Sequence, residues 1–132
     1  MAYTPDMPAA ARRHLEAANA LVDGPRHDVA GYLYGIAAEC AIKALMSDAG
    51  MRPLHDNRRD DPFYAHFPEL RTLLRDAPIG RRNGALRQFI DDDSFMAQWD
   101  TQMRYCKGSE IKGQWVVNWK NQACQVVASI DT

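Results

Sequence analysis

The sequence has few cysteines and no strong excess of either charge. Its three cysteines, Cys40, Cys106 and Cys124, are an odd number without Cys-x-x-Cys spacing, which argues against a disulfide framework and against a tetrahedral zinc site. Sixteen basic and seventeen acidic side chains leave a net charge of −1, so the chain as a whole lacks the basic excess that usually accompanies nucleic-acid binding. These features predict a protein of a reducing compartment that has no metal site and no cofactor.

Long apolar runs and a leader segment are also missing. The longest apolar segment, residues 29–46, is interrupted by Glu39 and Lys43, whereas a membrane helix needs roughly 20 consecutive apolar residues. The first residues do not combine a basic start with an apolar stretch, as a secretory signal would. We therefore predict a cytoplasmic protein that does not associate with a membrane. The 132 residues, 46% of them hydrophobic, suit a single domain with a buried core.

What the sequence does contain is helical periodicity. Asp6 and Pro8 mark the start of a first helix, in which apolar residues recur at helical spacing as far as Val22. Asp28 is the predicted cap of a second helix, which runs over residues 29–49 and stops at Gly50. This second helix is apolar on nearly all sides, which is typical of a central helix packed by several neighbours.

The middle of the chain is predicted to be less regular. Residues 51–65 are charged and rich in proline, and we interpret them as a flexible loop that is long for a compact domain. A third helix begins at Pro68 and continues to Arg75, because proline is tolerated at the first helical position. A short helix is predicted over residues 85–90.

Two further helices are predicted near the end of the chain. A run of acidic residues before Phe95 is the predicted cap of a helix in which Phe95, Trp99 and Met103 recur every four residues up to Gly108. The last helix begins at Ser109. No segment shows a convincing period-two alternation, so the fold class is all-α. The prediction is an antiparallel up-and-down bundle of four main helices plus a short extra helix, forming one domain over residues 1–132.

Four segments resemble HEPN domains, in the order that this superfamily shows them. Residues 37–45 read Ala-Ala-Glu-x-x-x-Lys-Ala-Leu, like the second HEPN helix, and they follow an Ala-rich Leu pattern over residues 15–21. The segment of residues 66–70, His-Phe-Pro-Glu-Leu, resembles the entry into the third helix. Trp99 and the Arg104-Tyr105 pair resemble the end of a later helix. The resemblance extends over residues 9–130.

The resemblance implies a helical bundle that forms a homodimer. Many HEPN domains are metal-independent RNases of toxin–antitoxin or other defence systems, and others bind nucleotides or RNA or pair with a nucleotidyltransferase. Active members carry Arg-x4–6-His at the start of the last helix. In such a motif the histidine transfers a proton at the ribose 2′-hydroxyl and the leaving oxygen, and the arginine stabilises developing phosphate charge.

This sequence departs from the family at that motif. Its last histidine is His66, so neither late helix can carry Arg-x4–6-His. Arg59 and His66 have the right spacing, but they span a proline-containing loop before the third helix, and we interpret that match as chance. We therefore assign no catalytic residue.

The candidate binding residues are Glu39, Lys43, Arg104 and Tyr105. Glu39 and Lys43 are one helical turn apart, so they form either a helix-stabilising ion pair or a polar spot lining a cleft, with Arg104 as a third member. Arg104 and Tyr105 would hold a phosphate and stack a base. In the alternative, Asp100 orients Arg104 and Tyr105 covers the end of the bundle.

Two larger groups of side chains have both a structural and a functional interpretation. A local basic patch would hold an RNA backbone, or it is a solvated face balanced by neighbouring acids; its members are Arg71, Arg75, Arg81, Arg82 and Arg87. An aromatic stripe is predicted to be core, with any exposed part a dimer seam; its members are Phe95, Trp99, Trp115 and Trp119.

The leading functional hypothesis is a non-catalytic HEPN-like domain that dimerises and binds RNA, a nucleotide or a protein partner in a stress or defence system. A second hypothesis is a metal-independent RNase with a rearranged active site built on Arg104, Tyr105, Glu39 or His66. A third is the helical partner subunit of a nucleotidyltransferase. An antitoxin is a further expected partner of a toxin–antitoxin-like system.

Overall fold

The computed structural model describes residues 3–53, 61–78 and 83–130. Their secondary structure is helical, and no strand occurs within these ranges. The helices are α1 (Met7–Leu21), α2 (His27–Asp48), α3 (Glu69–Asp76), α4 (Gly84–Ile90) and α5 (Gly113–Ser129). Short 3-10 turns cover Pro62–Tyr64, Thr101–Tyr105 and Gly108–Glu110. The all-α prediction is confirmed, whereas residues 54–60 of the predicted loop of residues 51–65 lie outside the described residues.

The ends of α1 and α2 follow the predicted local signals. The Asp6 carboxylate accepts a hydrogen bond from the Ala9 N–H at 3.0 Å, which satisfies one of the free donors at the start of α1. After α2, Gly50 has a φ of +95°, and the Met51 N–H donates to the Met46 carbonyl at 3.0 Å. This arrangement is a glycine-terminated helix end.

Helix α2 is the centre of the fold, as predicted. Thirteen of its 22 residues are buried. On one side α1 runs antiparallel to it, and the Tyr34 hydroxyl donates to Asn19 Oδ1 at 2.7 Å. On another side the first turns of α5 lie against the start of α2, where Gly31 faces Val116 and Trp119. Helix α2 is long and apolar enough to cross a membrane, but 72% of its most apolar window is buried inside the protein.

The aromatic stripe is core, as predicted for Phe95, Trp99 and Trp119, which are all buried. The Trp99 Nε1–H lies 3.2 Å from the carbonyl oxygens of both Gly31 and Tyr32 on α2. A Cβ atom at Gly35 would overlap the Trp99 indole. The absence of a side chain at Gly35 therefore allows the indole to lie directly on the α2 backbone.

The predicted helix from Phe95 to Gly108 is wrong. Residues 91–98 form successive turns, and Met96 and Gln98 have positive φ angles of 54° and 71°, which a right-handed helix excludes. Side chains of α5 hold these turns, because Gln122 accepts from the Met96 N–H at 2.8 Å and Trp119 donates to the Ala97 carbonyl at 2.9 Å. Tertiary hydrogen bonds thus occupy backbone groups that a helix would use.

Several boundaries also differ from the predictions. Helix α2 begins at His27, so Asp28 lies in its first turn and is not its cap. Helix α5 begins at Gly113 instead of Ser109, because Ser109 belongs to a separate 3-10 turn. Pro68 is the residue before α3 and not its first residue. The described chain therefore has three long helices and two short ones, where four main helices and one short helix were predicted.

Candidate functional site

Glu39 fixes the segment that leads into α3. Its side chain is buried, and its Oε1 accepts a hydrogen bond from the Phe67 N–H at 2.9 Å. Its Oε2 lies 3.0 Å from Nδ1 of His66, whose ring is half exposed. Both carboxylate oxygens thus have partners, which is the usual condition for a buried acid. We conclude that Glu39 has a structural role as a clamp between α2 and residues 66–67.

Lys43 does not form the predicted ion pair with Glu39. Within the described residues, the ion-pair partner of Glu39 is His66 and not Lys43. Lys43 is 7% exposed, and its charge acts electrostatically on Cys40, one helical turn earlier. The polar pair predicted from the sequence is therefore two separate buried groups.

Arg104 and Tyr105 lie together on the surface, and neither is among the hydrogen-bond partners of Glu39. Both are exposed, and the Arg104 guanidinium lies over the Tyr105 ring at 5.3 Å from its centroid. The Arg104 Nε–H donates to the Thr101 carbonyl at 3.0 Å. Asp100 does not orient Arg104, since the Asp100 carboxylate accepts from the Gln102 N–H as the cap of that 3-10 turn. The structure therefore keeps Arg104 with Tyr105 and separates both from Glu39 and Lys43.

Arg104 lines a cleft at the start of α2, which we call the α2-start cleft. Its volume is about 260 Å³. Helix α2 contributes one wall and the segment of residues 103–111 contributes the other; the lining includes Asp28, Val29, Tyr32, Met103, Arg104 and Cys106. The cleft thus combines apolar and aromatic surface with one acidic and one basic side chain.

Asp28 is the least satisfied polar residue of this cleft. Its side chain is 13% exposed, and its one ion pair with a described residue is a 3.5 Å contact between Oδ2 and Arg26, whose side chain is 63% exposed. Its Oδ1 is buried and has no hydrogen-bond partner within the described part of the chain. A buried acceptor without a donor is costly; because Oδ1 is buried, Oδ2 is the oxygen of Asp28 that is left to face a ligand in the cleft.

A larger cleft lies at the other end of α2, and two of its polar side chains, Asp6 and Arg52, are already engaged in hydrogen bonds. It has a volume of about 1030 Å³ and lies between the start of α1 and the end of α2. The Asp6 carboxylate in its lining caps α1. Arg52 donates to the carbonyls of Ser47 and Met51 at 3.3 and 2.8 Å. This cleft therefore offers apolar surface without a free directing group among these contacts.

Two arginines of the predicted basic patch are paired with acidic side chains. Arg75 donates to the Ile90 carbonyl and to Asp93 Oδ1, both at 2.7 Å, and Arg87 donates to Asp91 Oδ2 at 2.9 Å. Contact with Arg75 lowers the pKa of Asp93. These contacts favour the interpretation of the patch as a solvated face whose positive charge is balanced by neighbouring acidic side chains.

Of the other three arginines of the patch, the described one, Arg71, contacts a backbone carbonyl and not a carboxylate. The Arg71 Nη1–H donates to the Asp93 carbonyl at 3.4 Å, and its buried Nε has no hydrogen-bond partner in the described ranges. Burial and the neighbouring Arg75 lower the pKa of Arg71. Arg81 and Arg82 lie outside the described residues.

Three groups on α1 and α2 have shifted pKa values because they are removed from water. Burial raises the pKa of Tyr34 to about 12 and raises the pKa of the Cys40 thiol. Burial, together with the charge of Arg13, lowers the pKa of His14. In each case the neutral form is favoured, which suits packing between helices and not proton transfer. No group of three metal-ligating side chains occurs among the residues that the structure describes.

The sequence analysis missed Asp28 as a site residue. A single aspartate before an apolar helix is the ordinary signal of a helix cap, and the wall opposite Asp28 comes from residues about 80 positions later in the chain. At Gly108 a Cβ would overlap the Asp28 carboxylate, so the close approach depends on this glycine. Comparison with protein-family models, with curated proteins and with solved structures gave no match. The HEPN resemblance therefore stays a prediction.

Proposed function

We propose that the protein is a non-catalytic, HEPN-like binding domain and that single-stranded RNA or a free nucleotide binds in the α2-start cleft. The observation that carries this proposal is Asp28, whose carboxylate is mostly buried in the cleft wall and only weakly paired. A nucleobase supplies what such a carboxylate lacks, because its edge carries N–H donors and its ring is flat and weakly polar.

The remaining chemistry of the cleft suits the rest of a nucleotide. Arg104 lies at the same cleft and is exposed, and within the described residues its guanidinium donates a hydrogen bond through Nε. Its terminal nitrogens are then available for a phosphate, to which guanidinium groups bind strongly. Tyr105 is 80% exposed beside it, and an exposed aromatic ring is the usual platform for a neighbouring base of a single strand.

Binding without cleavage is the form of the proposal that the residues support. In the HEPN motif a histidine transfers the proton at the ribose 2′-hydroxyl. Histidine is not among the described residues that line the cleft, and the described His66 is engaged with the buried Glu39.

Replacing Arg104 tests the proposal. We expect Arg104→Ala to weaken binding of a single-stranded hexaribonucleotide about tenfold and to reduce the dependence of log affinity on log salt by about 0.7. Arg52→Ala removes the same charge at the opposite end of α2 and should change affinity less than twofold. Equal loss in both variants, or no binding by the wild type, contradicts the proposal.

The proposal also includes the assembly and partners that the family resemblance implies. These are a homodimer, a cytoplasmic location, and a nucleotidyltransferase or antitoxin as protein partner. A sizing measurement by light scattering tests the dimer, and a monomer at micromolar concentration would contradict it.

A further inference from the structure

We infer that His66 is a phosphoryl-acceptor site, at which Nε2 of its ring takes a phosphoryl group from a donor with a labile bond to phosphorus. Glu39 is the positioning residue of this site. The inference goes beyond the proposed function and does not rest on it, because His66 is not among the residues that line the α2-start cleft. It follows from how one ring nitrogen is held while the other is left at the surface.

The His66 ring is held in one orientation. Its Nδ1 lies 3.0 Å from Oε2 of Glu39, whose side chain is 4% exposed. The Phe67 N–H donates to the other oxygen of Glu39 at 2.9 Å. The His66 carbonyl accepts the Leu70 N–H at 2.8 Å. The histidine is therefore anchored through its own side chain, through the next residue and through the first turn of α3.

These contacts define which ring nitrogen carries the lone pair. A carboxylic acid is a stronger acid than an imidazolium ion, so Glu39 is the acceptor and Nδ1 of His66 carries the hydrogen. In the neutral ring the lone pair is then on Nε2. The ring is half exposed, and the hydrogen bonds of the described residues engage its Nδ1. Nε2 is consequently an oriented nitrogen nucleophile at the protein surface.

Phosphoryl transfer suits this arrangement because of the charges that it creates. As the Nε2 lone pair forms a bond to phosphorus, the bond from phosphorus to the leaving group breaks, and the leaving group departs with that electron pair. A ring that keeps its Nδ1 hydrogen then carries a positive charge, which the Glu39 carboxylate stabilises across the same contact. The transferred group is negatively charged and needs water, which the exposed side of the His66 ring provides.

Phosphoramidate, a small donor whose leaving group is ammonia, tests the inference on the full chain at neutral pH. We expect His66 to be modified roughly tenfold faster than His14 or His27, and its product to be the Nε2 isomer almost exclusively. Peptide mass spectrometry without acid locates the phosphoryl group, and ³¹P nuclear magnetic resonance distinguishes the two isomers. Equal rates at the three histidines, a mixture of isomers at His66, or no modification overturns the inference.

Two variants assign the effect to the Glu39 carboxylate. Glu39→Gln removes the charge behind Nδ1, so it should slow modification of His66 about tenfold and abolish the selectivity between isomers. Glu69→Gln removes the same charge from an exposed side chain three residues after His66. It should change the rate by less than about twofold, because solvent and salt screen an exposed charge. An unchanged rate and isomer in Glu39→Gln, or equal slowing in both variants, overturns the role of Glu39.

The unfolded wild type provides a control that requires no variant to fold. In denaturing urea the contact between His66 and Glu39 is lost, so the rate at His66 should fall to that at His14 and His27, and both isomers should form. An advantage of His66 that persists in urea would come from its neighbours in sequence and would overturn the inference. Nucleotide binding at the α2-start cleft has no bearing on these outcomes, so the proposed function is tested separately.

Discussion

Helix α2 carries two buried or nearly buried carboxylates, at its middle and at its start, and they differ in how their oxygens are used. Glu39 accepts the Phe67 N–H and pairs with His66, at 2.9 and 3.0 Å. Asp28, about 16 Å earlier along the helix, has one 3.5 Å contact and one oxygen without a partner in the described chain. Burial alone therefore does not distinguish a structural acid from an acid available to a ligand, whereas the donor count does.

The surroundings of the two carboxylates explain the difference. Glu39 faces a segment whose backbone supplies an N–H group and whose histidine supplies a second donor. Asp28 faces the Gly108 backbone and the side of an open cleft. The middle of α2 is consequently a closed network, and its start is a site where a donor can be added from outside.

The largest expected effect comes from removing one acceptor oxygen from each acid. Glu39→Gln should lower the free energy of unfolding by about 2–3 kcal/mol, because its amide group faces a donor and the Phe67 N–H or His66 is left unpaired. Asp28→Asn should change the free energy of unfolding by less than about 1 kcal/mol without ligand, because little is lost at a group that is poorly paired. Urea denaturation of both variants measures the difference. Equal destabilisation of both variants would remove the distinction between the two carboxylates.

The pH dependence of stability tests the burial of Tyr34, a third polar group of α2. Burial raises the pKa of Tyr34 to about 12 from its usual value of 10.0, so the folded state favours the neutral phenol. This contribution is fully present below pH 10 and is lost as the pH rises from 10 through about 12. The stability advantage of the wild type over Tyr34→Phe should therefore fall across that interval, by on the order of 1–3 kcal/mol. A constant difference between the two proteins from pH 9 to 12 would contradict the burial effect.

The smallest expected effect compares two cysteines by alkylation. Cys106 is exposed and lines the α2-start cleft, whereas Cys40 is half-buried and its pKa is raised by burial. We expect iodoacetamide to modify Cys106 first, since the thiolate is the reactive form. Guanosine monophosphate should slow modification of Cys106 several-fold and leave the rate at Cys40 unchanged, as followed by peptide mass spectrometry. Protection of Cys40 alone would place the ligand elsewhere.

Local signals were sufficient to predict α1, α2 and the short helix α4. Apolar spacing and the Asp6 cap predict α1, and the nearly uniform apolar character of α2 predicts its central position. These features depend on residues close together in sequence, so periodicity and capping chemistry capture them. The sequence also named Arg104 and Tyr105 together as candidate binding residues, and both are exposed in the structure.

Long-range contacts account for what the sequence could not predict. The spacing of Phe95, Trp99 and Met103 is helical, but Gln122 and Trp119 of α5 bind the backbone between them and impose turns. The partner of Glu39 is His66 instead of the nearby Lys43. Asp28 becomes part of a cleft only because residues 103–111 fold against the start of α2. Each of these outcomes depends on an element distant in sequence, which propensity cannot supply.

The most direct test of the account is a nuclear magnetic resonance titration of the ¹⁵N-labelled chain with guanosine monophosphate. The account predicts backbone amide shifts concentrated in residues 28–32 and 103–111, the two walls of the α2-start cleft, with the amides of Glu39 and Phe67 unchanged. Shifts centred on Glu39 and Phe67, or no shifts at millimolar ligand, would contradict it.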